Sequence, residues 1–371
     1  IRLTFRGSGP HRLAILPITG ECGYRLDASA RLLTGFTNAH SVPMPQNFRT
    51  YFALRFDCPM NEAETYILYE GTCTQGIAVS GDQTGIFVGL GSSRATIRLA
   101  ISYISEEQAI HNLEKECGGS FEEQSRLAAE RWENILSSIE IEPYTKEQKR
   151  TFYSCLYRMH LYPHKFYELN GAGEPIHYDG VGGGVKRGVC YTDNGFWDTY
   201  RTVYPLLALT LPDAYAEILE GFVQIYRDTG WLPRWPSGGE MGIMPGTLID
   251  AVIAEAAVRG VGSPALWEEA LEGMLKHATT VSQDPRFGRR CVDEYRRLGY
   301  IPRNKCPESV NHTLDAAYGD FCIAQVAAVL GKKDVEAEFR FRSGNYRHLF
   351  DPITGFMRGR DEEGRMAPDF D

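Results

Sequence analysis

The spacing of apolar residues changes once along this chain of 371 residues, and that change limits the possible folds more than any other feature. Up to about residue 104, apolar and polar side chains alternate, as they do in residues 51–56 and 96–103. A two-residue period indicates β-strands that bury one face. Because the runs are short and are separated by turn residues such as Gly81-Asp82, we expect an antiparallel β-sandwich.

Helical spacing takes over after Thr145. We predict helices over residues 146–160, 196–210, 213–229, 248–259, 264–282, 309–330 and 335–350, with a short one near Asp293. Gly230 directly follows one of these helices and is placed as a left-handed stop. The helix over 309–330 is apolar around most of its circumference, which indicates burial on nearly all sides. A helix in the inner ring of a two-layer helical barrel has this pattern.

Three segments are therefore expected: a partial β-sandwich domain over 1–104, a helical linker over 105–144 and a helical domain over 145–371. The linker opens on Ser105-Glu106-Glu107-Gln108. This string resembles a capping box, in which Ser105 and Gln108 satisfy free backbone amides. A helix over 121–137 follows, and residues 139–142 alternate like a short strand.

Composition excludes several classes of protein. The net charge is −9, and no block of Lys or Arg stands out, so we do not expect a nucleic-acid partner. No apolar run approaches the roughly 20 residues of a membrane-spanning helix. The nine cysteines form no CxxC pair, which argues against a zinc knuckle, and their irregular spacing argues against a disulfide framework. We interpret them as mostly buried, reduced thiols.

Two short segments carry the chemistry. They are Asp193 to Thr202 and Gly230 to Pro236, and they hold the candidate substrate-binding residues Trp197, Asp198, Arg234 and Trp235. Aromatic faces stack on sugar rings, while carboxylates and guanidinium groups bind sugar hydroxyls through charge-assisted hydrogen bonds. This combination indicates a carbohydrate site.

Structural alternatives stay open for the same residues. Asp193 or Asn194 is placed to cap a helix, and Asp198 to interact with a helix dipole. The tryptophans of the second segment could plug the interior of the helical domain.

Other polar residues have weaker patterns. Glu240 lies in a glycine-rich loop, either as a substrate contact or as a solvated side chain. His160 and His164 are spaced i, i+4 at a predicted helix end, but no HExxH motif surrounds them, which favours structural roles. Asp315 and Asp320 lie on the buried 309–330 helix, where an acidic group needs a partner or a cavity.

Several stretches together resemble glycoside hydrolase family 92, the calcium-dependent, exo-acting α-mannosidases. The stretches are Gly195 to Leu206, Gly230 to Pro236, Asp250 to Ala256, Asp351 to Arg360 and, more weakly, Ile101 to Leu113. The resemblance implies an N-terminal β-sandwich, a helical linker and part of an (α/α)6 barrel. It also implies inverting removal of terminal α-linked mannose from mannosides or N-glycans, with a Ca²⁺ ion beside the sugar. Asp198 and Arg234 match positions that hold the hydroxyls of that sugar.

The chain departs from the family pattern at the segments that carry catalysis. The family's catalytic acid lies in an EGNxWQY-like segment and its water-activating aspartates in a GNDDxG-like segment, and neither string occurs here. We therefore expect no catalytic residue in this chain, with the acid, the base and most calcium ligands beyond residue 371. The chain ends at 366–371 without a polar, frayed tail, which also suggests an interruption, so we expect the remainder of the barrel to be supplied by a further segment or a partner chain.

Two other functions remain as alternatives. One is a non-catalytic or degenerate carbohydrate-binding fragment, and the other is an (α/α)6 glycosidase that acts on another α-glycoside. From the resemblance we also expect a bacterial protein located in the periplasm or outside the cell.

Overall fold

The computed structural model describes residues 1–16, 19–142 and 144–368. The chain forms two compact units. The first comprises Ile1–Leu156 with Tyr167–Arg187, and the second comprises Tyr157–Phe166 with the chain from Gly188 onward.

Nineteen strands occur in the described part of the chain. They are β1 Arg2–Thr4, β2 His11–Ile15, β3 Glu21–Asp27, β4 Leu32–Thr37, β5 Thr50–Phe56, β6 Tyr66–Tyr69, β7 Thr72–Gln75, β8 Ala78–Asp82, β9 Gly85–Leu90, β10 Arg94–Ser102, β11 His164–Lys165, β12 Tyr167–Leu169, β13 Pro175–Tyr178, β14 Val185–Arg187, β15 Tyr191–Thr192, β16 Pro236–Ser237, β17 Gly239–Glu240, β18 Phe350–Asp351 and β19 Phe356–Met357.

The α-helices are α1 Glu106–Glu116, α2 Phe121–Leu136, α3 Lys146–Met159, α4 Phe196–Thr199, α5 Val203–Thr210, α6 Pro212–Thr229, α7 Ile249–Arg259, α8 Pro264–Thr279, α9 Val292–Leu298, α10 Ser309–Val329 and α11 Lys333–Arg342. Two 3₁₀ segments cover Glu62–Glu64 and Ser343–Leu349.

The first unit contains the expected sandwich. Its six-stranded sheet has the order β1-β10-β5-β4-β3-β8, its four-stranded sheet has the order β2-β9-β6-β7, and the pairings in both are antiparallel. One buried cluster takes side chains from both sheets, among them Leu54, Phe56 and Ile97 from one and Ile86 and Val88 from the other. Burial of two apolar sheet faces against each other is the main stabilising term of such a layer pair.

The predicted alternation in β10 is confirmed only in its first half. Ala95 and Ile97 are buried, but Leu99 and Ile101 are 43% and 46% exposed although they have the same parity. The buried cluster ends at Ile97, so the later side chains have no apolar layer over them. On the other face, α1 covers the sheet through a small cluster that includes Ala109.

The capping box at the start of α1 is half confirmed. The Ser105 hydroxyl accepts a hydrogen bond from the Gln108 backbone amide at 3.1 Å. The Gln108 side chain does not reach back, because it donates to Asn112 Oδ1 and to the Leu169 carbonyl, both at 2.8 Å. Residues 139–142 form no strand.

The second unit is mostly helical, as predicted. Gly230 ends α6 in the left-handed conformation (φ 76°), where its amide donates to the Tyr226 carbonyl at 2.7 Å. The predicted 196–210 helix is wrong, because it is broken into α4 and α5. Pro205 gives the reason: within one continuous helix it could not donate to the Arg201 carbonyl and its ring would clash there.

The long helix α10 packs against α7, α8 and α11. Most of its side chains are buried, including Ile323 and Val326. Burial on nearly all sides is nevertheless only partly right, since Tyr318 and Phe321 are 39% and 43% exposed. These two rings stack on each other with centroids 6.3 Å apart.

Candidate functional site

In the second unit, the β16–β17 hairpin contacts the start of the short helix α4. The Asn194 backbone amide donates to the Pro236 carbonyl at 3.0 Å, which ties the start of α4 to β16. Gly195 lies against the indole of Trp235, and a Cβ at this position would come within 2.5 Å of the ring. Glycine is therefore required here to let the indole approach the backbone.

The side chain of Glu240 holds the backbone on either side of this hairpin. Its carboxylate accepts hydrogen bonds from the backbone amides of Arg234, Trp235 and Gly242 at 3.0, 2.8 and 2.9 Å. The side chain is buried, and burial raises its pKa while the three amide donors oppose that rise. Neither sequence-based interpretation of Glu240 is right: it is not solvated, and its oxygens are committed to the loop that holds Trp235.

Asp198 and Trp235 line the same cleft, as the sequence suggested for a sugar site. The cleft has a volume of about 530 Å³ and is completed by Tyr162, His164, Asp193, Asn194, Gly195, Thr199 and Ser237. Asp198 is exposed in the first turn of α4. Its carboxylate accepts no hydrogen bond from the residues that the structure describes. A carboxylate that stays unpaired beside an indole face is available to accept sugar hydroxyls.

Asp193 is held between two side chains in this cleft. Ser237 Oγ donates to its Oδ1 at 3.0 Å, and His164 Nδ1 lies 2.9 Å from its Oδ2. The residue adopts a left-handed backbone (φ 58°), which is uncommon for a non-glycine residue. The capping interpretation of Asp193 is wrong, because the N-cap residue of α4 is Gly195 and no side chain caps this helix.

Arg234 is placed differently from Asp198. It is 4% exposed, and its guanidinium donates to the backbone carbonyls of Met244, Gly246 and Arg286 at 2.7, 3.3 and 3.4 Å. Burial lowers its pKa. The side chain lines a second cavity of about 10 Å³ together with His312, rather than the cleft that contains Asp198.

Trp197 is partly buried and is not among the residues that line the cleft. The Arg201 guanidinium lies 5.6 Å from its ring centroid, within cation–π range, and donates to its carbonyl at 3.2 Å. Of the four predicted substrate-binding residues, the structure thus brings Asp198 and Trp235 together and places Trp197 and Arg234 outside their cleft.

The acidic residues of α10 have distinct environments. Asp320 is fully buried and paired, with Arg289 Nη1 at 2.6 Å, Tyr295 Oη at 3.0 Å and Arg342 Nε at 3.2 Å. The expectation that this carboxylate needs a partner is confirmed. Asp315 has a buried Oδ2 without a hydrogen-bond donor among the described residues, and burial raises its pKa to about 6.

The two histidines spaced i, i+4 in the sequence, His160 and His164, do not lie on one helix. α3 ends at Met159, so His160 follows the helix, while His164 lies in β11. Within residues 1–16, 19–142 and 144–368, no cluster of three or more His, Cys, Asp or Glu side chains is suited to a metal ion.

Sequence reasoning missed the contribution of residues 162–164. Tyr162 and His164 join the cleft through a segment far from the two quoted motifs, and their rings are 4.8 Å apart. The only sequence signal was the Tyr-Pro-His string itself, which has no periodicity to place it.

Comparison with known proteins identifies the family. The chain is similar to an uncharacterised secreted glycosidase from Arthroderma benhamiae, with 27% identity over 287 residues, which is 73% of this chain and 32% of the relative. The profile of the glycosyl hydrolase family 92 catalytic domain matches residues 108–371, and the chain belongs to that family.

Solved structures agree with this assignment. An inverting mannosidase of the family from Bacteroides thetaiotaomicron matches the whole chain with a TM-score of 0.92 and 33% identity. An α-mannosidase of the family from the same species matches with a TM-score of 0.89 and 26% identity. The chain spans about half of each, 51% of their length. The predicted fold class, a β-sandwich followed by part of an (α/α)6 barrel, is confirmed by these matches.

Proposed function

We propose that the whole protein releases terminal α-linked mannose from mannosides or N-glycans by an inverting, calcium-dependent hydrolysis. One observation carries the proposal: an unpaired carboxylate, Asp198, shares a cleft with the indole of Trp235 inside a family 92 domain. The names of the solved relatives, which are mannosidases, support mannose as the sugar.

In this proposal Asp198 and Trp235 hold the terminal sugar. The carboxylate accepts hydrogen bonds from neighbouring hydroxyls, and the ring covers an apolar face of the pyranose. Arg234 and Trp197 then act indirectly. Arg234 fixes the loop carbonyls behind the hairpin, and Trp197 supports the corner that presents Asp198.

We propose that the catalytic acid and base come from outside residues 1–371. An inverting glycosidase needs two carboxyl groups about 6.5–9.5 Å apart, one of which carries a proton. Asp193 does not suit the acid's role, since both its oxygens are engaged by Ser237 and His164. Asp198 is then the carboxylate that binds hydroxyls, and the other residues that line the cleft include no further unpaired carboxylate.

Calcium takes 6–8 oxygen ligands, and carboxylates are its preferred side chains. Asp193 and Asp198 are the only carboxylates among the residues that line the cleft, and one of them is already committed. The described residues therefore do not make a calcium site by themselves. We propose that most ligands come from the remainder of the barrel.

We further propose that this remainder packs on exposed apolar side chains of the second unit. Leu209, Val258 and Phe321 are 68%, 56% and 43% exposed on α5, α7 and α10. Exposed apolar surface of this kind is costly in water unless another layer covers it.

An exported location is also proposed, by analogy with the secreted fungal relative, and a bacterial source by analogy with the two solved structures. In the part of the chain that the structure describes, no helix is both long and apolar enough to span a membrane.

The test uses the full-length protein with α-mannobioses and maltose as substrates, before and after treatment with EDTA. We expect hydrolysis of mannobiose that EDTA abolishes and Ca²⁺ restores, with the β-anomer appearing first in NMR spectra. Asp198→Ala should lower kcat/KM by at least about 100-fold, because charge-assisted contacts to a distorted sugar strengthen in the transition state.

Other outcomes would identify the alternatives. Cleavage of maltose instead of mannobiose would point to another α-glycoside, and binding without cleavage would point to a degenerate carbohydrate-binding protein. Near wild-type activity of Asp198→Ala would refute the assignment of the sugar-binding carboxylate.

A further inference from the structure

The cleft around Asp198 has a second wall that the terminal sugar does not explain. Tyr162 and His164 lie on a separate chain segment from Asp198 and Trp235, yet all four line the same cavity. A volume of about 530 Å³ falls within the range of sites that bind ligands larger than one ring. The cleft therefore has room and contacts beyond those assigned to the terminal mannose.

The two rings of this wall are open on the cleft. Tyr162 is 52% exposed, and the His164 side chain is 54% exposed. Their centroids are 4.8 Å apart with planes tilted by 53°, so the pair forms a bent aromatic surface. Exposed aromatic faces that border a polar cleft suit the C–H face of a pyranose, while their polar atoms stay available for hydroxyls.

His164 is oriented by its neighbour. A carboxylate can only accept hydrogen bonds, so His164 Nδ1 carries the proton at the 2.9 Å contact with Asp193, and Nε2 of the neutral ring is then an acceptor. Asp193 is in turn fixed by Ser237 Oγ, which belongs to the hairpin that holds Trp235. A chain of three side chains thus couples the orientation of the His164 ring to the hairpin of the sugar site.

We propose that Tyr162 and His164 form the binding surface for the second sugar, the leaving group of the substrate. Tyr162 stacks on this sugar, and His164 Nε2 accepts a hydrogen bond from one of its hydroxyls. Asp193 is a positioning residue that sets the imidazole tautomer. This inference rests on the proposed function, and it specifies the substrate class as an α-mannoside whose aglycone is itself a sugar.

The experiment compares a substrate that occupies both sugar positions with one that occupies only the first. An α-linked mannobiose needs both positions, whereas α-mannosyl fluoride has no second sugar. In the full-length protein, His164→Ala and Tyr162→Ala should lower kcat/KM for mannobiose about 3- to 30-fold, the effect of losing one hydrogen bond or one stacking contact. Both variants should stay within about twofold of wild type on α-mannosyl fluoride.

Two further variants control for folding and position. His164→Asn retains a donor for Asp193 but lacks the outer ring nitrogen, so it should show the mannobiose defect with the hairpin intact. Lys165→Ala removes the adjacent side chain, which is paired with Glu217 at 3.1 Å and does not line the cleft. This control should match wild type on both substrates. Equal losses on both substrates for His164→Asn, or none on either, would overturn the proposal.

A binding measurement keeps this inference separate from the proposed activity. Calorimetric titration with mannose and with mannobiose gives the affinity gained from the second sugar, and His164→Ala should remove most of that gain. If wild type cleaved no mannoside, the proposed function would fail. Loss of the gain in the variant would then still support the second-sugar surface, and an unchanged gain would refute it.

Discussion

Replacement of Asp320 by asparagine should destabilise the helical unit strongly, because it unbalances a buried set of charges. Asp320 and Asp250 face Arg289 at 2.6 and 3.1 Å, and Arg342 lies 3.2 Å from Asp320. The two carboxylates and two guanidinium groups neutralise each other. Asp320→Asn keeps the shape but leaves one positive charge in excess among these buried groups, because the other carboxylate near Arg342, Glu338 at 3.4 Å, is 61% exposed.

The magnitude follows from this burial. Asp320 is fully buried, and the side chains of Arg289 and Arg342 are only 4% and 12% exposed. Loss of one partner from such a network costs about 3–5 kcal/mol. For a unit of this size, about 2–4 °C of melting temperature corresponds to 1 kcal/mol, so the transition should fall by about 6–20 °C. Differential scanning calorimetry of the full-length protein measures this shift.

A second substitution tests the cause. Arg342→Met removes the surplus charge while keeping an apolar stem against Phe339, so Asp320→Asn with Arg342→Met should melt higher than Asp320→Asn alone. Asp334→Asn on the exposed start of α11 is the matched control and should shift stability by less than about 0.5 kcal/mol. A single variant Asp320→Asn that melts within 2 °C of wild type would refute the charge-balance argument.

Two other predictions concern Asp315 on α10 and Gly195 in the cleft. The folded-state pKa of Asp315 is about 6, above its ordinary 3.8, so its ionised form opposes folding above pH 6 and its effect vanishes below about pH 4. Asp315→Asn should therefore raise the unfolding free energy by about 1–3 kcal/mol at pH 8 and not at pH 4, as measured in urea. Equal effects at both pH values would mean that the carboxylate has a donor from elsewhere in the protein. Gly195→Ala should push the Trp235 ring out of place, since the new Cβ would lie 2.5 Å from it, and should lower kcat/KM about 10-fold or more in mannoside hydrolysis. Wild-type kinetics for this variant would show that the indole position does not matter.

Periodicity predicted the elements well where one physical signal dominates. The apolar stripe of α6 and the glycine after it determine both ends of that helix, because a left-handed residue at 230 cannot continue it. The broken helix after Gly195 was missed although Pro205 carried the signal. Apolar residues continue on both sides of the break, and this run concealed the signal from Pro205.

The sequence predicted which types of residue form the candidate site better than it predicted which groups each side chain contacts. Trp235 and Asp198 were predicted because indole and carboxylate chemistry suits sugars, and the fold places both in one cleft. Arg234 was expected to bind sugar hydroxyls, and in the structure its guanidinium donates to three backbone carbonyls. Whether a guanidinium binds substrate or loop depends on which carbonyls come near it, and sequence spacing does not contain that information. The same limit hid Tyr162 and His164, whose place in the cleft depends on long-range pairing of β11 with β15.

The arrangement of hydrogen bonds explains how the cleft can be rigid and still leave one carboxylate free. Buried polar groups near the hairpin have hydrogen-bond partners within the protein. Glu240 accepts hydrogen bonds from three backbone amides, and the Asn194 amide donates to the Pro236 carbonyl. Because those groups have partners, the Trp235 loop can keep one conformation without help from a ligand. Asp198 remains the unpaired group, in the first turn of a four-residue helix that is tied to the hairpin. Under the proposed function, a site of this kind places its one unpaired carboxylate accurately, so its selectivity should depend on the hydroxyl pattern of the sugar more than on loop rearrangement.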